Sequence, residues 1–168
     1  MYVDRPPSWP SDCNGSTPHL RASSFGYVGI DYARAVHCLI EHSEGRLISN
    51  VLLPLMHQTV ELLSKAIAFK VDDGFDPRKY SHRVRNLMEE YSDRVPLFEA
   101  MLSEHESVNL IENLERAYIG VRYAECTTVM SQDVYDLFFH LTVQLLDDLH
   151  KRTALNFLPK HFGNEPDC

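Results

Sequence analysis

Glycine is scarce in this chain, at seven in 168 residues, and no segment alternates apolar and polar residues in the way a half-buried strand requires. Both absences argue against a sheet-built domain. The four cysteines, Cys13, Cys38, Cys126 and Cys168, are scattered and form no C-x-x-C. Zinc-finger spacing is therefore missing, and the expectation is free thiols in a reducing compartment. There is no Gly-rich phosphate loop and no G-x-S-x-G elbow. Nor is there a Glu-x-x-His pair of the kind that holds two metals in helical bundles. The nearest approach is Asp147 followed by His150. Nine histidines are spread along the chain without ligand spacing, so no metal site and no cofactor are expected. The first residues contain Asp4, Pro6, Pro7, Pro10 and Pro18 but no apolar run, and no signal peptide is visible. The longest apolar stretch is interrupted by Pro54, His57, Glu61 and Lys65, which argues against a membrane span. The expected compartment is the cytoplasm. Excess basic charge is absent too. The formal net charge is −8, whereas a general nucleic-acid or membrane-surface binder is basic overall.

What the chain does have is apolar content of 44%, enough for a full core in one domain. That content is densest from Leu47 to Lys70. Leu52, Leu55, Met56, Thr59, Val60, Leu63, Ala66 and Ile67 recur at three- and four-residue spacing, and Leu53 and Leu62 extend the apolar surface beyond that stripe. A helix this apolar all round belongs in the middle of a bundle. Through it runs a polar seam of His57, Glu61 and Lys65, each four residues apart and so stacked on one face.

The rest of the chain divides around this segment. Residues 1–24, with their prolines and Trp9, read as a flexible arm. A first helix is expected from about Ile30 to Glu44, with Ile30, Ala33, Val36, His37 and Ile40 on one face and Gly45 as its C-terminal cap. Lys70 to Pro77 reads as a loop pivoting on Gly74. Asp76-Pro77 then resembles a helix start, and Tyr80, Val84, Leu87, Met88 and Tyr91 form the apolar stripe of a third helix. A short segment follows Pro96. A fourth main helix is expected over Leu110–Tyr123, opened by Asn109 and Glu112 in a capping-box-like pair and buried through Ile111, Leu114, Ala117, Tyr118 and Val121. The last helix is expected over Gln132–Leu158, capped by Ser131, with Asp133 and Asp136 at its positive end and Lys151 and Arg152 at its negative end. Residues 159–168 read as tail. The fold class predicted is an all-α antiparallel bundle of four or five helices over residues 25–158.

Four elements in this order resemble the HEPN domain (higher eukaryotes and prokaryotes nucleotide-binding). They are the small-residue helix DYARAVHCLIEH, the Glu61-Leu62-Leu63-Ser64-Lys65-Ala66 segment, His82-Arg83-Val84 at the start of the next helix, and Tyr118 followed by Arg122-Tyr123. The resemblance spans roughly residues 27–158. It implies a HEPN-like helical bundle, frequent homodimers, RNA or nucleotide as ligand, and a toxin–antitoxin or phage-defence setting with a cognate antitoxin or other protein partner. Ribonucleases of the family carry Arg, four to six residues, then His. This chain departs from that pattern: Arg78 precedes His82 by three intervening residues, Arg34 precedes His37 by two and His42 by seven, and the next histidine after Arg122 is His140. Metal-independent RNA cleavage needs a base for the 2′-hydroxyl proton and a cation near the phosphate, so the missing spacing leaves nuclease activity without its usual pair.

The candidate ligand-binding residues are Lys65, Glu61, His57, Arg122, Tyr123, Arg78, His82 and Arg85. Lys65 and Arg122 are expected to line a central cleft and hold an anion, with His57 and Glu61 in the same polar network. Arg78, Lys79, His82, Arg83 and Arg85 form the one dense basic cluster, and on a continuous helix Arg78, His82 and Arg85 would share a face suited to phosphate. A solvated helix face is the competing reading of that cluster. His140 and Gln144, one turn apart, are expected to be a hydrogen-bonded core or interface pair. The contrasting functional class is a non-catalytic module whose helical faces bind another protein.

Overall fold

The computed structural model describes residues 18–42, 49–122 and 131–153. Six α-helices, and no strand, occur among the described residues: α1 (Pro18–Glu41), α2 (Ser49–Val71), α3 (Val84–Tyr91), α4 (Pro96–Ser103), α5 (His105–Arg122) and α6 (Gln132–Arg152). The all-α expectation holds. The helix count exceeds the expected four or five because the short segment after Pro96 is a full helix in its own right. None of these helices is long and apolar enough to cross a membrane.

The arrangement follows from α2. It packs most extensively on α1 and also touches α3, α5 and α6. Leu52, Met56, Val60, Leu63, Ala66 and Ile67 are buried, and so are Leu53 and Phe69 outside that stripe. A helix enclosed on this many sides has to be apolar on more than one face. Pro54 lies inside α2, which begins at Ser49 rather than at the proline.

Close approach of α1 to α2 rests on small residues. Ala22, Gly26, Gly29 and Ala33 are buried at three- and four-residue spacing along α1. A Cβ built on Gly29 would lie 3.0 Å from Leu63 Cδ2 and Cγ and 3.4 Å from Leu62 Cβ. Only a residue without a side chain fits there at ordinary contact distance. Helix α1 also starts at Pro18, well before Ile30, so residues 18–24 are helical where the sequence suggested a flexible arm. Proline at the first helical position loses no hydrogen bond, which is why it starts this helix instead of excluding it. Residues 1–17, with Trp9, and the proposed tail 159–168 lie outside the described residues, as does Gly45.

The connection from α2 to α3 differs from expectation in a way that builds the site. Asp76 Oδ1 does accept the Arg78 backbone N–H, at 3.0 Å, but no helix follows. The backbone instead closes a series of tight turns, with Lys79 N–H donating to Asp76 O, Ser81 N–H to Arg78 O and Arg83 N–H to Tyr80 O. Ser81 has a φ of 47°, a left-handed conformation that a right-handed helix cannot contain. Helix α3 therefore begins only at Val84, and Arg78, His82 and Arg85 do not share one helical face. Phe75 and Tyr80 anchor this connection. Phe75 packs edge-on against Phe69 at 4.7 Å between centroids and against Tyr91 at 5.7 Å, and Tyr91 donates its hydroxyl to Asp72 Oδ2 at 2.7 Å.

Three helix starts are also capped differently from the sequence reading. Helix α3 has no local side-chain cap. Glu115 of α5 supplies one from a distance, accepting the Arg85 backbone N–H at 2.8 Å, where a carboxylate suits the positive end of the helix. Burial pushes the Glu115 carboxyl above the usual range. Helix α5 starts at His105, so Asn109 and Glu112 lie inside it and do not form its capping pair. Asn109 bonds His105 at 2.9 Å, while Glu112 pairs with Arg85 and with Arg116. At α6, Ser131 stands at the N-cap position without a side-chain bond.

One cysteine corrects the free-thiol expectation: Cys38, on α1, is disulfide-bonded. Sequence separation carries no information on which thiols the fold brings together. Cys13, Cys126 and Cys168 lie outside the described residues.

Candidate functional site

The polar seam of α2 is buried as a unit. His57 is 1% exposed, Glu61 4% and Lys65 6%. A buried carboxylate and ammonium are stable only when paired and hydrogen-bonded, and the structure supplies partners for both. Lys65 Nζ donates to Glu61 Oε1 at 2.5 Å within the same helix. It also donates to the backbone carbonyl of Ser81 at 2.8 Å. The other carboxylate oxygen, Glu61 Oε2, accepts from His82 Nδ1 at 2.9 Å and from Gln58 Nε2 at 3.3 Å. Because a carboxylate only accepts, His82 must carry its proton on Nδ1.

His57 completes the cluster from the other side. Its Nε2–H donates to the backbone carbonyl of His82 at 3.1 Å. Its Nδ1 faces Glu61 Oε2 at 3.6 Å and has no hydrogen-bond partner among the described residues. Desolvation by burial lowers the His57 pKa below its ordinary 6.5 despite the neighbouring Glu61 carboxylate. The ring is thereby held neutral, with its proton on Nε2 and a lone pair on Nδ1.

Helix α5 closes the cluster with an aromatic ring. Tyr118 stacks on His57 at 4.6 Å between centroids, with planes 24° apart, and lies 4.4 Å from His82. His82 is the member that reaches the surface, its side chain 39% exposed. Three elements therefore meet at one point: α2 contributes His57, Glu61 and Lys65, the turn segment contributes Ser81 and His82, and α5 contributes Tyr118.

Of the residues proposed from sequence, the fold gathers His57, Glu61, Lys65 and His82. It gives Lys65 an enclosed position, with two of its three donors on Glu61 and Ser81. The basic cluster around His82 is partly neutralised. Lys79 pairs with Glu90 at 2.5 Å, and Arg85 pairs with Glu89 at 2.8 Å and with Glu112. Arg78 and Arg83 are exposed and form no ion pair among the described residues. The Arg122 side chain and Tyr123 lie outside the described residues. His140 is exposed and not in the core, and Asp147 pairs with Lys151 at 2.5 Å.

Three contributors escaped the sequence reading of the site. Gln58 stands three residues before Glu61 on α2, a spacing that places it beside the carboxylate. Tyr118 was visible only as a core position and as part of the family resemblance. The Ser81 carbonyl has no sequence signal, because any residue has a carbonyl and only the left-handed turn brings this one to Lys65.

One donor atom each from His57, Glu61 and His82 lies within 4.8 Å of the other two. Two imidazoles and one carboxylate are a common donor set for divalent transition metals. Comparison with protein-family models, with curated proteins and with solved structures returns no match. The functional argument therefore starts from the geometry of the cluster.

Proposed function

We propose that the chain is a HEPN-like helical domain, acting as a homodimer, that binds RNA or a nucleotide on the face where His82 and Tyr118 approach the surface. The observation that carries this reading is the latch beneath that face. The Glu61–Lys65 pair ties Ser81 and His82 to α2, so the half-exposed imidazole is held against the Tyr118 ring. A pre-positioned pair of flat rings suits an unstacked base. The guanidinium groups of Arg78 and Arg83, in the same segment and without an ion pair among the described residues, suit phosphate. The order of the four HEPN-like sequence elements supports the same reading. On it, Lys65 and Glu61 position the binding segment and His82 touches the ligand. A ribonuclease toxin or phage-defence role is the setting the resemblance implies.

The test is fluorescence polarisation with labelled single-stranded RNA and with a nucleotide panel. Wild type is expected to bind with an affinity that falls as salt rises. Arg83→Ala is expected to weaken binding and reduce the salt slope by about one. Absence of binding to every probe by the folded protein would remove this reading in favour of the interaction module. Four exposed apolar side chains, Tyr27, Leu39, Val51 and Ile119, favour that second reading.

A further inference from the structure

We propose that His57, Glu61 and His82 form a binding site for a single divalent transition metal of the imidazole-preferring kind, such as Zn²⁺ or Co²⁺. This inference rests on the cluster alone and does not depend on nucleotide or RNA binding.

The first observation is the orientation of His57. Its Nε2–H is committed to the His82 carbonyl, so the lone pair of the neutral ring sits on Nδ1. That atom is enclosed, has no hydrogen-bond partner among the described residues, and points at Glu61 Oε2 from 3.6 Å. A backbone carbonyl on the far nitrogen is the outer-shell contact that fixes tautomer and ring direction for a metal-ligating histidine. Two acceptor atoms facing each other at this distance are complementary to a cation between them.

The second observation is the spacing. Metal–nitrogen and metal–oxygen bonds to such ions are about 2.0–2.2 Å. Ligand atoms are then separated by roughly 3.0 Å in an octahedral edge and roughly 3.4 Å in a tetrahedral one. Glu61 Oε2 lies 3.6 Å from His57 Nδ1 and 2.9 Å from His82 Nδ1. Both separations are close to such edges. The third ligand, His82, sits in a turn and is half-exposed, so it can shift to complete the set and leaves a side open for water or an added ligand.

The neighbouring charges decide which metal. Lys65 stays on the other carboxylate oxygen, Oε1, at 2.5 Å. Its ammonium opposes a dication and offsets the negative charge of the carboxylate. Oxygen-seeking Mg²⁺ and Ca²⁺ need several carboxylates and carbonyls, and one shared carboxylate is too few. Metals with strong affinity for neutral imidazole are favoured instead. Binding replaces the hydrogen bond from His82 Nδ1–H to Glu61: the ring gives up its Nδ1 proton to solvent and takes one up at Nε2, so it stays a neutral imidazole as the Nδ1 lone pair turns to the metal.

The experiment titrates chelator-treated, metal-free full-length protein with Co²⁺ and reads the visible d–d bands. One equivalent is expected to bind, Zn²⁺ to displace it, and a large excess of Mg²⁺ to leave the spectrum unchanged. His82→Ala, whose folding is checked by circular dichroism, is expected to weaken Co²⁺ binding at least tenfold, while His140→Ala at an exposed position elsewhere binds as wild type does. A second reading uses the wild type alone: bound Co²⁺ should broaden or shift the NMR signals of the His57 and Tyr118 rings. Lack of a saturable one-to-one spectrum, equal binding by folded His82→Ala, or unperturbed His57 and Tyr118 signals would each overturn the proposal.

Discussion

Lys65 and Ser81 are joined across the α2–α3 connection by a hydrogen bond of 2.8 Å from the ammonium to the backbone carbonyl. The carbonyl belongs to the one non-glycine residue with positive φ among those described. The left-handed conformation of Ser81 lies inside the last of the tight turns, the one closed by Arg83 N–H on Tyr80 O, and leaves the Ser81 carbonyl against a buried cation. A side chain from the central helix thus holds in place the loop that carries His82. The same contact explains how a charge can sit 6% exposed in an apolar helix, because two of its three donors are satisfied inside the protein.

Removing the cation should cost stability. Lys65→Met leaves the Glu61 carboxylate buried with only His82 and Gln58 as partners. The expected loss is about 3–5 kcal/mol in urea denaturation, the range for breaking one side of a buried ion pair. The double variant Glu61→Leu/Lys65→Met should lose less than Lys65→Met alone, because it leaves no buried charge behind. Additive losses from the single and double variants would show that the pair is not coupled.

The α1–α2 interface should also resist added volume. Gly29→Ala places a methyl group 3.0 Å from a Leu63 side chain that is fully buried. Overpacking of this kind costs about 1–3 kcal/mol. The better helix propensity of alanine returns at most roughly 1 kcal/mol. A net fall in melting temperature is expected. A rise would show that α1 and α2 can separate without loss.

The buried His57 makes stability depend on pH in one direction. Its pKa is lowered in the folded protein, chiefly by desolvation. The unfolded chain therefore binds more protons below the ordinary value near 6.5. The stability held by the neutral ring is complete above that value and is lost as pH falls from about 6.5 toward the folded pKa. Melting curves from roughly pH 8 to pH 5, taken with chelator present, should fall more steeply for wild type than for His57→Gln. Parallel curves would mean that His57 is not held neutral.

Much of this architecture can be read from residue order. The apolar density of α2, the four-residue spacing of His57, Glu61 and Lys65, and the buried stripe of Val84, Leu87, Met88 and Tyr91 are all local periodicities. Local periodicity reports which face of a helix turns inward. The starts of helices were less accessible. Pro18 opens α1, Asp76-Pro77 opens only a set of turns, and Asn109 lies inside α5. Each of these residues is compatible with a helix start and also with another role, and neighbouring segments choose between them.

The all-helical class, the central place of α2 and the burial of its polar seam were already set by the spacing of apolar and charged side chains, because burying those faces in water requires a bundle. The cluster itself was not, since it depends on Ser81, His82 and Tyr118 reaching α2 from segments far along the chain. Which carbonyl meets Lys65, which nitrogen of His57 is left without a partner, and which basic side chains are neutralised by Glu89, Glu90 and Glu112 are results of that packing. Contacts between distant segments leave no periodic mark in the chain, and the chemistry of the site resides in those contacts.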